Sequence, residues 1–133
     1  MEKIITSGKR KRATARAILI EGNGKVRVNK KDYKTLQMFD KLKIDEPLRI
    51  AENILGKIEF DVAISVKGGG EKSQIEAARL ALARALVEAS KSSELKKAFL
   101  EYDRNLLVAD VRRKESYKPG DSKARRKRQK SYR

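Results

Sequence analysis

At 133 residues and a formal net charge of +16, the chain has room for one domain with an extension, or two very small domains. It contains no cysteine and no histidine, which excludes disulfides, thiolate zinc sites, thiol nucleophiles, imidazole ligands and Ser-His-Asp catalysis. No apolar run approaches the ~18 residues of a membrane span, and the opening MEKIITSGKRKR lacks the apolar stretch of a signal peptide.

Residues 12–20 alternate, with Ala13, Ala15, Ala17 and Leu19 on one side and Arg12, Thr14, Arg16, Ile18 and Ile20 on the other. Period two predicts a strand. Asn23-Gly24 follows, and this dipeptide favours positive φ at both central positions of a tight turn. Residues 12–20 and 25–29 are therefore expected to pair as an antiparallel hairpin. Asp32 reads as the N-cap of a short helix ending near Met38. Asp45-Glu46-Pro47 reads as a helix start, with Leu48, Ala51, Ile54 and Leu55 as its apolar stripe and Gly56 as its stop.

Residues 57–67 form the clearest strand. Ile58, Phe60, Val62, Ile64 and Val66 alternate with Lys57, Glu59, Asp61, Ala63, Ser65 and Lys67. Such alternation predicts a sheet with one buried and one wet face. Gly68-Gly69-Gly70 breaks the strand. A helix over 73–90 follows, with Ser73 as N-cap and Glu76 completing a capping box. A further helix is expected over 94–102, begun by Ser93 and Glu94, and a short last strand over Leu106 to Ala109. Beyond residue 111 apolar residues nearly vanish, so 112–133 cannot offset its ordering entropy by burial. Fully extended, that tail reaches ~70 Å. The expected fold is α+β: a small, mostly antiparallel sheet backed by helices over 1–111, with a long basic C-terminal extension over 112–133.

The charge is concentrated at the two ends. Residues 1–16 hold six basic residues and one acid, a net of +5. Residues 112–133 hold eleven and two, a net of +9, while 17–111 is nearly neutral at +2. Dense like charges repel, so neither end is expected to fold alone, and nucleic acid is the first candidate partner. The candidate binding residues are Lys9, Arg10, Lys11, Arg12 and Arg16 at the N-terminal end. In the tail they are Arg112, Arg113, Lys114, Lys118, Lys123, Arg125, Arg126, Lys127, Arg128, Lys130 and Arg133. Arginine offers a planar fork for phosphate, and Tyr117 and Tyr132 can stack on exposed bases. A basic run also serves as a nuclear address or a solubility tail.

Gly68, Gly69 and Gly70, flanked by Lys67 and Lys72, admit two readings. They form a tight strand-to-helix turn, or a cradle of backbone amides for an RNA phosphate. GGGEKS matches neither the phosphate-loop nor the dinucleotide fingerprint, so nucleotide hydrolysis is not expected. The acidic pairs Asp45-Glu46, Glu59 with Asp61, and Glu101 with Asp103 read as a cap and as solvated faces rather than catalytic carboxylates. No catalytic residue, metal site or cofactor is expected.

In order, GKRKRATARA at 8–17, VRVN at 26–29, EPLRIAENIL at 46–55, KGGG at 67–70, QIEAARLALARAL at 74–86, LLVADVRRKESYKPG at 106–120 and ARRKRQKSYR at 124–133 resemble the universal small-subunit ribosomal protein family S-nine. The short form and the SYR ending resemble its archaeal and eukaryotic branch. The resemblance implies a fold like the second domain of ribosomal protein S-five, distantly akin to some phosphoryl-transfer enzymes, without their activity. It implies a cytoplasmic, ribosomal location in the small-subunit head, bound to the 3′ domain of small-subunit rRNA beside other head proteins. It further implies a tail whose end approaches the anticodon stem of peptidyl-site tRNA, a role that falls on Arg133 with Tyr132, Lys130 and Arg128 behind it. The competing readings are a free-standing nucleic-acid chaperone or a chromatin-like RNA- or DNA-binding protein, and a small phosphotransferase.

Overall fold

The computed structural model describes residues 3–109. The tail residues singled out above, from Arg112 to Arg133, lie outside the described residues, as does the whole of the predicted extension. Within the described part, five strands and three helices build an α+β fold. The strands are β1 (Ile4–Arg10), β2 (Ala13–Glu21), β3 (Val26–Val28), β4 (Lys31–Asp32) and β5 (Phe60–Lys67). The helices are α1 (Met38–Leu55), α2 (Glu71–Ser90) and α3 (Ser93–Tyr102). The sheet order is β1-β2-β5-β3-β4, antiparallel throughout except for the parallel pair β3–β5.

The predicted hairpin between 12–20 and 25–29 does not form. β5 lies between the two segments, pairing with β2 from Thr14↔Lys67 to Glu21↔Phe60. A two-residue type I′ turn needs positive φ at both central residues, and here only Gly24 has it, at 90°. The loop is instead tied to β5. The Asp61 carboxylate accepts from the amides of Asn23 and Lys25, each at 3.0 Å, and Gly22 N–H donates to the Glu59 carbonyl. The hydrogen bond from Lys25 leads in holding the Asp61 carboxyl below its ordinary 3.8. The turn with two positive φ values falls at Asn29 (50°) and Lys30 (69°), between β3 and β4.

β1 has no counterpart among the predicted elements. Its inward positions are Ile4, Thr6 and Gly8, and the last two are too small or polar to advertise a strand. Their logic is the close approach of α2. A Cβ on Gly8 would stand 2.5 Å from the Ala77 carbonyl oxygen, and the Thr6 hydroxyl donates to the Ala81 carbonyl at 2.8 Å. α2 is alanine-rich on the sides that meet the sheet and the other helices: Ala77, Ala78, Ala81, Ala83 and Ala85 are all fully buried.

α1 starts at Met38, not at Asp45, and carries Pro47 inside it. The proline lacks the N–H that would bond the Lys43 carbonyl, a defect worth about 3 kcal/mol in an unsupported helix. Packing overrides it, because the buried stripe Asp40, Ile44, Pro47, Leu48 and Ala51 runs straight through the proline. The short helix predicted after Asp32 is a single 3-10 turn over Tyr33–Thr35, capped by the Asp32 side chain on Lys34 N–H. Gly56 ends α1 at φ 82°, as expected of a glycine past a helix C-terminus.

α2 begins two residues before the predicted start, with Gly70 as N-cap, so Ser73 does not cap it and the capping box is absent. Glu76 is engaged elsewhere, as described below. α3 runs from Ser93 and is capped by the Ser92 hydroxyl, which accepts from Leu95 N–H. The predicted last strand is a 3-10 turn over Arg104–Leu106, which places Leu106 in the core. α2 packs on one face of the sheet, against β1, β2 and β5, and α1 and α3 pack against α2 and each other, closing one core that includes Ala13, Ala15, Ala17, Leu19, Val62, Ile64 and Val66. The other face is open.

Candidate nucleic-acid interface

The register of the sheet decides which side chains share the open face. Lys9, Thr14 and Lys67 lie side by side across β1, β2 and β5. The next row is Ser7, Arg16 and Ser65. All six are exposed. Adjacent strands are about 4.8 Å apart, so Lys9 and Lys67 hold two positive charges about 10 Å apart across a hydroxyl. Fixed ammonium and guanidinium groups interleaved with hydroxyls match a sugar–phosphate backbone, which presents anionic oxygens and ribose hydroxyls.

The glycine loop closes this end of the sheet. β1 and β2 are joined by a two-residue turn, Lys11-Arg12, with Lys11 at φ 54°. Gly68 and Gly69 lie against that turn with φ of 78° and 65°. A Cβ on Gly68 would stand 2.7 Å from the Arg12 carbonyl oxygen, and one on Gly69 would stand 2.9 Å from Ala13 N. Two of the three glycines are thus required by backbone conformation and close approach. Gly70 has φ −91° and open space around its Cβ position. Lys72 follows, exposed in the first turn of α2, and Gln74 Nε2 donates back to the Gly68 carbonyl at 3.0 Å.

The fold therefore brings together most of the predicted N-terminal site. Lys9, Arg16 and Lys67 share the open face, and Lys11 and Arg12 project at its end beside Gly68, Gly69 and Gly70. Arg10 goes elsewhere. Its position in β1 points toward the helices, where its Nε lies 2.6 Å from Glu76 Oε2 and the side chain is mostly buried. Lys43 Nζ approaches the same carboxylate at 3.5 Å. The sequence analysis did not single out Ser7, Thr14 and Ser65, nor the flanking cations Lys3, Lys25 and Arg27. Alternation within a strand marks its outward residues, but only the strand order shows which of them are neighbours.

The arginines of α2 hold the fold together. Arg79 Nη2 pairs with Glu46 of α1, and its Nη1 lies 3.5 Å from Asp103 at the end of α3. Arg84 donates to the carbonyls of Leu107 at 3.0 Å and Ser7 at 2.9 Å. Asp45 is not a helix cap. It accepts from the Tyr33 hydroxyl at 2.9 Å and pairs with Arg49 one turn on. Burial, followed by this hydrogen bond, pushes the Tyr33 phenol up to about 12. Among the described residues no group of acidic side chains is arranged to hold a metal ion, and no helix is long and apolar enough to cross a membrane.

The chain is similar to known proteins over its full length. It is 49% identical over 136 aligned positions to the small ribosomal subunit protein uS9 of Methanococcus vannielii, with both chains covered completely. The same identity and coverage hold for small ribosomal subunit protein uS9 of Methanococcus maripaludis strain C7. The profile of the family described as ribosomal protein S9/S16 matches residues 8–133. These matches span the basic hairpin, the glycine loop and the tail alike, and by them the chain belongs to the ribosomal protein S9/S16 family.

Proposed function

We propose that the chain is a structural constituent of the small ribosomal subunit that grips small-subunit rRNA through the open face of its sheet and through its tail. As a member of a ribosomal protein family it is not an enzyme. The observation that carries the binding mode is the pair of rows Lys9–Thr14–Lys67 and Ser7–Arg16–Ser65, with the Lys11-Arg12 turn and the glycine loop at their end. The backbone that carries these cations is already ordered in the sheet, so binding must order only their side chains. Lys72 lies at the same end, in the first turn of α2, where Glu71 beside it offsets its charge.

The finer reading divides the chain into a body, 1–111, which sets position, and a tail, 112–133, which extends the grip. The body docks on the 3′ domain in the subunit head. The tail neutralises further phosphates with Arg112, Arg113, Lys114, Lys118, Lys123, Arg125, Arg126 and Lys127. Its last residues, Arg128, Lys130, Tyr132 and Arg133, reach the anticodon stem of peptidyl-site tRNA. A backbone contact there suits every tRNA, because it reads no base.

Truncation after Ser131 in reconstituted small subunits tests the division. Incorporation is expected to be unchanged while tRNA affinity for the peptidyl site falls. Unchanged tRNA affinity contradicts the role of the tail tip, and lost incorporation contradicts the division of labour. Failure of the full-length chain to sediment with small subunits contradicts the whole reading and favours a free-standing nucleic-acid chaperone.

A further inference from the structure

The open face changes character along the strands. Beyond the two rows of cations and hydroxyls, the register sets Ile5, Ile18 and Ala63 side by side, with Arg27 of β3 next in line. Ile20 lies one row further, opposite Asp61. Ile5, on the edge strand β1, is 59% exposed, and Ile20, on the inner strand β2, is 42% exposed. An open groove of about 400 Å³ lies here, lined by Ile18, Ile20 and Ala63 and by the cations Lys3, Lys25 and Arg27.

Four acids lie toward this end of the sheet, Glu21, Asp32, Glu59 and Asp61, and the carboxylates of Asp61 and Asp32 are committed to backbone amides. Asp61 accepts from Asn23 and Lys25, and Asp32, opposite Arg27, accepts from Lys34. What remains is an apolar strip with cations at both ends: Arg16 and the lysine row on one side, Lys3, Lys25 and Arg27 on the other. A partner for it must be polyanionic and must also present flat apolar faces.

We propose that this strip receives unpaired nucleobases of the bound RNA, while the flanking cations hold the phosphates on either side of them. The inference rests on the RNA-binding reading above and adds the kind of RNA. A duplex keeps its base faces stacked inside and would set ribose and phosphate against the isoleucines. A nucleotide turned out of its stack offers two apolar faces, and its phosphates continue in both directions along the strand. Aliphatic side chains give a shape-tolerant platform, so selection is for unpaired over paired nucleotides rather than for one base. Charge complementarity favours RNA over a protein partner, because the groove is lined by three cations, Lys3, Lys25 and Arg27, against one carboxylate, Asp61.

Two sets of variants of the full-length chain, assembled into reconstituted small subunits, test this. Ile20→p-benzoylphenylalanine places a photoreactive group on the strip, and Lys67→p-benzoylphenylalanine places one among the lysines. Both are expected to cross-link to small-subunit rRNA, the first to nucleotides that are unpaired. If position 67 cross-links to rRNA but position 20 reaches only protein, only paired nucleotides or nothing, the base-receiving strip is overturned and the wider reading survives. If neither reaches rRNA, both fail. The double variant Ile18→Thr/Ile20→Thr is expected to lose about fivefold to tenfold in affinity for a transcript of the rRNA 3′ domain, with its salt dependence unchanged. Unchanged affinity overturns the proposal.

Discussion

Arg10 Nε stands 2.6 Å from Glu76 Oε2, joining the basic hairpin to the first half of α2. This contact takes one of the four consecutive positions in the basic run, Lys9 to Arg12, away from the solvent face and gives it a structural task. With α2 capped at Gly70, Glu76 lies a turn inside the helix, where it reaches across to β1 and to Lys43 of α1. Glu76→Gln leaves two cations facing a neutral amide at a partly buried site. A charge-assisted hydrogen bond of this kind is worth about 1–2 kcal/mol once solvent screening at the half-open carboxylate is allowed for. Thermal unfolding of the variant is expected to show a midpoint lower by several degrees. An unchanged midpoint shows the pair to be without energetic weight.

The three consecutive glycines are expected to differ in their tolerance of a side chain. Gly68→Ala must place a Cβ 2.7 Å from the Arg12 carbonyl oxygen at φ 78°, whereas Gly70→Ala meets open space at φ −91°. The left-handed conformation alone costs about 1–2 kcal/mol for alanine, and the contact adds to it. Urea denaturation should therefore show a clear loss for Gly68→Ala and almost none for Gly70→Ala. Equal losses contradict the assignment of the loop as a close-packed turn.

Tyr33 gives the fold a mark in alkali. Its phenol is raised to about 12 by burial and by the bond to Asp45. The folded protein therefore favours the neutral phenol, and that contribution is fully present below the ordinary value near 10. It is lost as pH climbs from about 10 through 12. The chain has four tyrosines. Phenolate absorbance is expected to include a step near 12, and Tyr33→Phe should remove it. A titration without that late step contradicts the buried placement.

Much of the fold was legible in particular residues. The inward alanines of β2, the alternation of β5 and the stop at Gly56 were all readable, because each reflects a local period or a single backbone requirement. The errors lie where distant contacts decide. Asn23-Gly24 has the composition of a hairpin turn, yet Asp61, far along the chain, captures its amides. Pro47 has the look of a helix start, yet the buried stripe on both sides of it keeps α1 continuous. β1 hid because α2 approaches it so closely that only Thr6 and Gly8 fit there, and neither residue type signals a strand.

The candidate site was legible as a set of cations but not as a surface. Lys9, Arg16 and Lys67 stood out singly, while their adjacency across Thr14, Ser7 and Ser65 depends on β5 inserting beside β2. Arg10 could not be told from its neighbours in the run until its alternation in β1 was known.

The central claim is that the open sheet face binds rRNA through phosphate contacts, and the salt dependence of that binding tests it most directly. Affinity of the full-length chain for a transcript of the small-subunit rRNA 3′ domain is measured from low to moderate salt, beside Arg16→Gln/Lys67→Gln. With ~8 phosphate contacts, log affinity should fall with log salt at a slope of about −6 to −7, and the double variant should be shallower by about 1.5–2. A flat salt response, or a slope that the two substitutions leave unchanged, contradicts the account.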